Sequence, residues 1–140
     1  MILYLESSAV LAWLLGEPTQ HQLLAELGAA RGIFTSRLTL LECYRALIVA
    51  ESTGRITPVD GNHARHLLAR ARRGWSILEI TDVVCQRAGQ LFPCEPIRSL
   101  DAIHLASLLA LHAVEPRIQP MTLDQRIWDN ALQLGFTPRP

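Results

Sequence analysis

Four acidic residues occupy positions where ligands are often bound in proteins of alternating strands and helices. Glu6 and Asp124 each follow a short apolar segment, while Glu42 and Asp101 lie near the starts of two apolar helices. If the apolar segments are parallel strands, their carboxyl ends meet at one edge of a sheet, outside which ligands bind. The sequence therefore predicts that these four carboxylates converge on one cleft.

Such a cluster would repel itself, because each charge disfavours ionisation of its neighbours. A hard divalent cation relieves the repulsion, and Mg²⁺ or Mn²⁺ takes oxygen ligands while keeping several waters. A metal held in this way polarises a phosphodiester and helps to make hydroxide from water, and two metals would lie about 3.5–4 Å apart. The chemistry indicated is hydrolysis of a phosphodiester.

Three further residues are expected to support the acids from outside the metal ligands. The hydroxyls of Ser8 and Thr122 can donate hydrogen bonds that orient carboxylates, although both can also serve as helix or turn caps. Arg45 lies three residues after Glu42 and can hold that acid or contact a phosphate. The alternative interpretation is that Arg45 and Glu42 form an exposed ion pair, which would add only a few tenths of a kcal/mol to stability.

The segment 99–111 predicts a buried helix, since it is apolar almost all the way round. Ser99 is its predicted N-cap, and Asp101 lies in its first turn, where the helix dipole alone would favour an acid. His104 shares roughly the same face as Asp101. We interpret His104 as a hydrogen-bonded core residue and leave it outside the site.

The apolar runs and cap signals predict strands alternating with helices along the whole chain. The predicted strands are 1–5, 32–36, 75–80 and a short one within 116–123. Seven helices are predicted between and after these strands. They run from Ser7 and Ser8 to Gly16, over 19–30, through the segment from Leu38 to Val49, from Pro58 or Asp60 onward, from Thr81-Asp82 to Leu91, and over 99–111 and 127–134. This order is typical of an α/β fold with a mainly parallel sheet. One domain is expected over residues 1–140.

The composition excludes several function classes. The net charge is zero, so the chain lacks the field of a strongly basic nucleic-acid binder. Every one of the 13 basic residues is arginine, which disfavours Walker-type phosphate binding, Schiff-base chemistry and phosphoaspartate mechanisms that need a lysine. Three cysteines without a CxxC spacing indicate neither a disulfide framework nor a zinc site. With no signal peptide or membrane span in the sequence, a cytoplasmic location is expected.

The segment 55–73 holds the only local concentration of basic residues. On one helix, His66, Arg70 and Arg73 would share a face, since they are four and three residues apart. This basic stripe, His66, Arg70 and Arg73, can follow the phosphates of a nucleic acid. A solvated helix face is the alternative interpretation.

The chain resembles the PIN-domain proteins, in particular the VapC-like toxins of bacterial toxin–antitoxin pairs. The resemblance covers essentially the whole length and is carried by four blocks: 2–9 (ILYLESSA), 41–46 (LECYRA), 100–106 (LDAIHLA) and 122–124 (TLD). It implies a PIN-like three-layer α/β/α sandwich and a metal-dependent ribonuclease that acts on RNA. It also implies a metal site of Glu6, Glu42, Asp101 and Asp124, a small antitoxin as partner, and a homodimer.

The chain departs from the family pattern at Glu6, where the family normally has aspartate. The extra methylene moves the carboxylate by roughly 1.5 Å, which is large beside the about 0.5 Å tolerance of a well-held site. A nuclease that is retained but weakened is the expectation. The alternatives are a catalytically impaired PIN domain that binds RNA or a protein without cutting it, and, least favoured, a lysine-dependent α/β phosphate enzyme such as a receiver or a haloacid-dehalogenase-type phosphatase.

Overall fold

The computed structural model describes all residues from 1 to 140. Its four strands are β1 (Ile2–Leu5), β2 (Gly32–Ser36), β3 (Ser76–Leu78) and β4 (Ile118–Met121). Its seven α-helices are α1 (Ser7–Leu14), α2 (Gln20–Ala29), α3 (Arg37–Ser52), α4 (Pro58–Ala71), α5 (Asp82–Ala88), α6 (Ser99–His112) and α7 (Gln125–Gln133). One 3₁₀ turn, Arg72–Gly74, follows α4.

The four strands form one parallel sheet in the order β3-β2-β1-β4. Strand β1 is central, and its side chains alternate between the two faces of the sheet, as the pleat requires. Leu3 and Leu5 join the core under one set of helices, whereas Ile2 and Tyr4 join the core on the opposite face. Helices cover both faces, which explains why β1 reads as an unbroken apolar run.

Helices α1 to α4 pack on one face of the sheet, and α6 with its neighbours α5 and α7 lies on the other. The result is a three-layer α/β/α sandwich, which confirms the predicted fold class. None of the helices combines the length and the apolar character that crossing a bilayer would require.

The helices that follow β1 and β2, and α7 just beyond β4, are all capped by side chains. Glu6 caps α1 by accepting from the Ser8 amide, Ser36 caps α3 by accepting from the Leu38 amide, and Asp124 caps α7 by accepting from the Arg126 amide. Such caps satisfy amide groups that the helix itself leaves without a partner. They also fix Glu6 and Asp124 at the same edge of the sheet.

Three local predictions are wrong. Ser99 is the first residue of α6 and Arg98 is its N-cap, because the Asp101 carboxylate turns back to accept from the Arg98 amide at 3.3 Å. Arg73 lies outside helix α4, which ends at Ala71 before the chain tightens into the 3₁₀ turn. Strand β3 is also shorter than predicted, since it is an edge strand that pairs only with β2 over three residues.

Candidate metal centre

The predicted site residues lie around the carboxyl ends of β1 and β4. Glu6 follows the last residue of β1, and its amide donates to the carbonyl of Met121, the last residue of β4. Thr122 and Asp124 follow β4 directly. Glu42 reaches this edge from the second turn of α3, and Asp101 reaches it from the first turn of α6.

Glu6 is buried, with 4% of its surface exposed, and is held by donors on both carboxylate oxygens. Its Oε1 accepts from Ser7 Oγ at 2.6 Å. Its Oε2 accepts from Thr122 Oγ1 at 2.8 Å, from the Ser8 amide at 3.1 Å and from the Ser8 hydroxyl. The longer side chain at this position is therefore fully oriented rather than free in the cleft.

Glu42 lies next to Glu6 and shares a hydrogen-bond donor with it. The Ser7 hydroxyl that binds Glu6 also contacts Glu42 Oε1, at 3.1 Å. The same Oε1 lies 2.5 Å from His104 Nε2. Because both contacts fall on Oε1, the second oxygen of Glu42 keeps its lone pairs available for a ligand.

His104 belongs to this cluster, although we did not include it in the predicted site. Its side chain is 1% exposed, and its Nε2 lies 3.8 Å from Glu6 Oε1. Its Nδ1 lies 3.0 Å from the Tyr4 hydroxyl. The expectation of a hydrogen-bonded core residue is confirmed, but its partner is a site acid. The sequence feature that could have placed His104 in the site is its spacing of three residues from Asp101 on one helix.

Glu6, Glu42 and His104 form a group whose ligand atoms all lie within 4.8 Å of one another. Asp101 and Asp124 are outside this group and form a second pair, held by arginines. Arg98 Nε lies 3.3 Å from Asp101 Oδ2, and Arg98 Nη2 lies 3.8 Å from Asp124 Oδ2. The four predicted acids therefore lie at one edge of the sheet as two pairs.

Ser8 and Thr122 connect the glutamate pair to the turn that carries Asp124. The Ser8 hydroxyl accepts from the Leu123 amide at 2.8 Å while it contacts Glu6. The Thr122 hydroxyl accepts from the Asp124 amide at 3.1 Å while it donates to Glu6. Each hydroxyl thus binds the carboxylate of Glu6 and also a backbone amide of the turn that positions Asp124.

Four predicted residues do not contact the acids. Arg45 is exposed and makes no hydrogen bond or ion pair, so Ser7 and His104 hold Glu42 in its place. Of the basic stripe, His66 bonds the Asn62 carbonyl at 2.8 Å, and Arg70 and Arg73 are exposed. A phosphate-binding role for these three residues stays a prediction.

Two buried protic groups beside the cluster remain neutral. Burial raises the pKa of Tyr4 far above its ordinary value, and the nearby negative charge of Glu6 raises it further. Burial likewise raises the pKa of the Cys43 thiol, and the charge of Glu42 adds to this effect. Neither group adds a charge, and Cys43 is not activated as a nucleophile.

The donor set of this edge fits a hard divalent cation. Two carboxylates share one hydroxyl donor, and the arginines that reach this edge, Arg98 and Arg126, pair with the aspartates instead. Carboxylate oxygens with free lone pairs are the ligands that Mg²⁺ and Mn²⁺ prefer.

Comparisons with known proteins agree with this geometry. The family model described as PIN domain matches residues 3–133. A protein of Mycobacterium tuberculosis (strain ATCC 25618 / H37Rv) named Ribonuclease VapC46 is 33% identical over 134 residues, which are 96% of this chain and 93% of that protein.

Two solved structures share the fold at low sequence identity. Mycobacterium tuberculosis VapC20, described as a sarcin-ricin loop cleaving toxin, superposes with a TM-score of 0.69 at 14% identity and covers 99% of both chains. VapBC2 from Rickettsia felis, solved bound to a DNA fragment from its promoter, superposes with a TM-score of 0.64 at 13% identity and covers 100% of both chains.

Proposed function

The chain belongs to the PIN-domain family, and from this premise we propose that it is a metal-dependent endoribonuclease. It hydrolyses RNA phosphodiester bonds and is the toxin of a toxin–antitoxin pair. The observation that carries this proposal is the approach of Glu6 and Glu42 to a single donor, Ser7 Oγ, at a sheet edge that also carries Asp101 and Asp124. The name of the relative at 33% identity, a ribonuclease, supports the same reaction class.

Glu6, Glu42, Asp101 and Asp124 hold the metal, with Mg²⁺ proposed as the ion and Mn²⁺ as the alternative. When bound, the cation polarises the scissile phosphate and lowers the pKa of water. Ser7, Ser8 and Thr122 fix the orientation of Glu6, and its Oε1, which accepts only from Ser7, has a lone pair left for a metal. The separation of the acids into two pairs suits an ion that retains several waters, because outer ligands then bind through water.

The proposed partners follow from the same family. A small antitoxin would bind the toxin, as the Rickettsia felis VapBC2 structure illustrates for that protein pair. A homodimer is also proposed, and α3 offers a surface for it because Leu41, Ile48 and Val49 are 58%, 42% and 53% exposed. Light scattering of the purified chain distinguishes a monomer from a dimer. The cytoplasm is the proposed location, since RNA and reducing conditions for three free cysteines coincide there.

The competing function is a PIN domain that binds RNA or protein without cleavage. Its only basis is Glu6 in the position where the family normally has aspartate. The structure gives Glu6 donors on both oxygens, so the longer side chain has its own matched surroundings. This observation favours a retained nuclease over an inactive one.

Cleavage of a mixed pool of single-stranded and structured RNA tests the proposal. Folded protein free of any antitoxin is incubated with Mg²⁺, with Mn²⁺ and with a chelator, beside an Asp101→Asn variant. We expect cutting that depends on metal and disappears in the variant. Absence of cutting with either metal would contradict the nuclease and favour the binding-only alternative.

A further inference from the structure

A buried chain of three side chains leads from the centre of the sheet to the candidate metal site. The Tyr4 hydroxyl lies 3.0 Å from His104 Nδ1, and His104 Nε2 lies 2.5 Å from Glu42 Oε1. Tyr4 is 1% exposed on strand β1, and His104 is 1% exposed on helix α6. The imidazole thus joins the central strand to an acid of α3 across the core.

The protons of this chain follow from what each group can donate. An ionised carboxylate only accepts, so the contact with Glu42 Oε1 requires the proton to be on His104 Nε2. In the neutral ring Nδ1 is then an acceptor, and the Tyr4 hydroxyl is its donor. The direction of donation is therefore Tyr4 to His104 to Glu42.

The position of His104 matters because it lies beside both glutamates. Its Nε2 is 2.5 Å from Glu42 and 3.8 Å from Glu6 Oε1. Without a donor at this point, Glu42 Oε1 would keep only the Ser7 hydroxyl, which it shares with Glu6. The carboxylate of Glu42, with a 25% exposed side chain, could then rotate away from its like-charged neighbour into solvent.

We infer that His104, supported by Tyr4, is a positioning residue that holds Glu42 beside Glu6 and leaves the second oxygen of Glu42 free for a metal. This inference rests on the proposed function, because it assigns a device that orients one of the proposed metal ligands. His104 acts as a hydrogen-bond donor from outside the coordination sphere and does not itself bind the metal.

Two substitutions separate the roles of the ring nitrogens. The side-chain amide of His104→Gln can place a donor near the position of Nε2, whereas the amide of His104→Asn ends near the position of Nδ1. Mn²⁺ binding to the folded protein, without RNA, is measured by electron paramagnetic resonance. Thermal unfolding of each variant is recorded in parallel, and RNA cleavage is measured separately.

We expect His104→Asn to weaken Mn²⁺ binding by about 10- to 100-fold, the usual effect of losing a group that orients a metal ligand. His104→Gln should recover most of that binding and leave a loss of about 2- to 10-fold, because it restores the donor at Nε2 but not the neutral hydrogen bond between Tyr4 and Nδ1. If His104→Asn does not fold, Tyr4→Phe provides the test. Removing the donor to Nδ1 should weaken Mn²⁺ binding by about 2- to 10-fold.

If folded His104→Asn binds Mn²⁺ with wild-type affinity, the inference is overturned and the proposed nuclease function is not affected. If His104→Asn does not fold, unchanged Mn²⁺ affinity in Tyr4→Phe overturns the inference in the same way. Equal loss in His104→Asn and His104→Gln would also overturn it, because a donor at Nε2 would then not suffice. A wild-type protein that binds no Mn²⁺ and cuts no RNA would instead refute the proposed function, and the inference with it.

Discussion

Thr122 Oγ1 donates a hydrogen bond of 2.8 Å to Glu6 Oε2 across 116 positions of the sequence. The same oxygen accepts from the Asp124 amide at 3.1 Å. The hydroxyl is fully buried, so water does not substitute for it. One side chain therefore joins the ends of the two neighbouring strands β1 and β4 and orients an acid on one of them.

Thr122→Val should lower the free energy of unfolding by about 1.5–3 kcal/mol, the usual contribution of a hydrogen bond to a charged group. Valine fills the same space but leaves Glu6 and the Asp124 amide with one partner fewer. Urea denaturation measures the change. Thr122→Ser is the matched control, because it keeps the hydroxyl and loses only a methyl worth about 0.8 kcal/mol. Equal losses in both variants would contradict a role for the hydroxyl.

Glu6→Asp tests whether the chain is built for the longer acid. Shortening the side chain withdraws the carboxylate by roughly 1.5 Å, so it cannot keep its contacts with both Ser7 and Thr122. We expect the wild-type protein to cleave RNA and the variant to cleave it more slowly, by up to about tenfold, or about 1.4 kcal/mol. Cleavage that appears only in Glu6→Asp would favour the binding-only alternative. Glu6→Gln keeps the length without the charge and should be inactive.

Metal binding should stabilise the fold, because the cation removes repulsion between Glu6 and Glu42. A ligand at 100 times its Kd adds about 2.7 kcal/mol to the free energy of unfolding. Unfolding with Mn²⁺ and with chelator measures this increment, which Glu42→Gln should reduce. Glu79→Gln is the control, since Glu79 is exposed and paired with Arg37 rather than with the site acids. An unchanged increment in Glu42→Gln would exclude Glu42 as a ligand.

The sequence predicts the strand-end positions of the site well and its internal contacts poorly. The positions of Glu6 and Asp124 could be predicted because each lies between a buried strand and a helix, which restricts it to the carboxyl end of that strand. Ser7 and His104 were missed because their partner, Glu42, is brought to them only when α3 and α6 pack on opposite faces of the sheet. Arg98 was missed for a similar reason, since its contact with Asp124 depends on how α6 and α7 meet.

Arg98 should compete with a metal for the two aspartates. Its guanidinium lies between Asp101 and Asp124, and its side chain is 68% exposed, so each ion pair is worth about 0.2–1 kcal/mol. Arg98→Ala should therefore tighten Mn²⁺ binding by up to about fivefold. Calorimetric titration measures the affinity, and Arg117→Ala, which removes an exposed arginine paired with Glu115, is the control. Weaker Mn²⁺ binding in Arg98→Ala would show that Arg98 organises the aspartates instead.

The basic stripe should contribute to RNA binding through charge alone. Arg70 and Arg73 are exposed and have no ion-pair partner, so both can reach phosphates. Each phosphate contact on a single strand contributes about 0.7 to the slope of log K against log salt. Replacing both arginines by alanine in an Asp101→Asn background should lower that slope by about 1.4. Filter binding over a range of salt measures it. The double replacement of Arg31 and Arg117 removes the same charge elsewhere, and an equal decrease there would show that net charge, not the stripe, determines RNA binding.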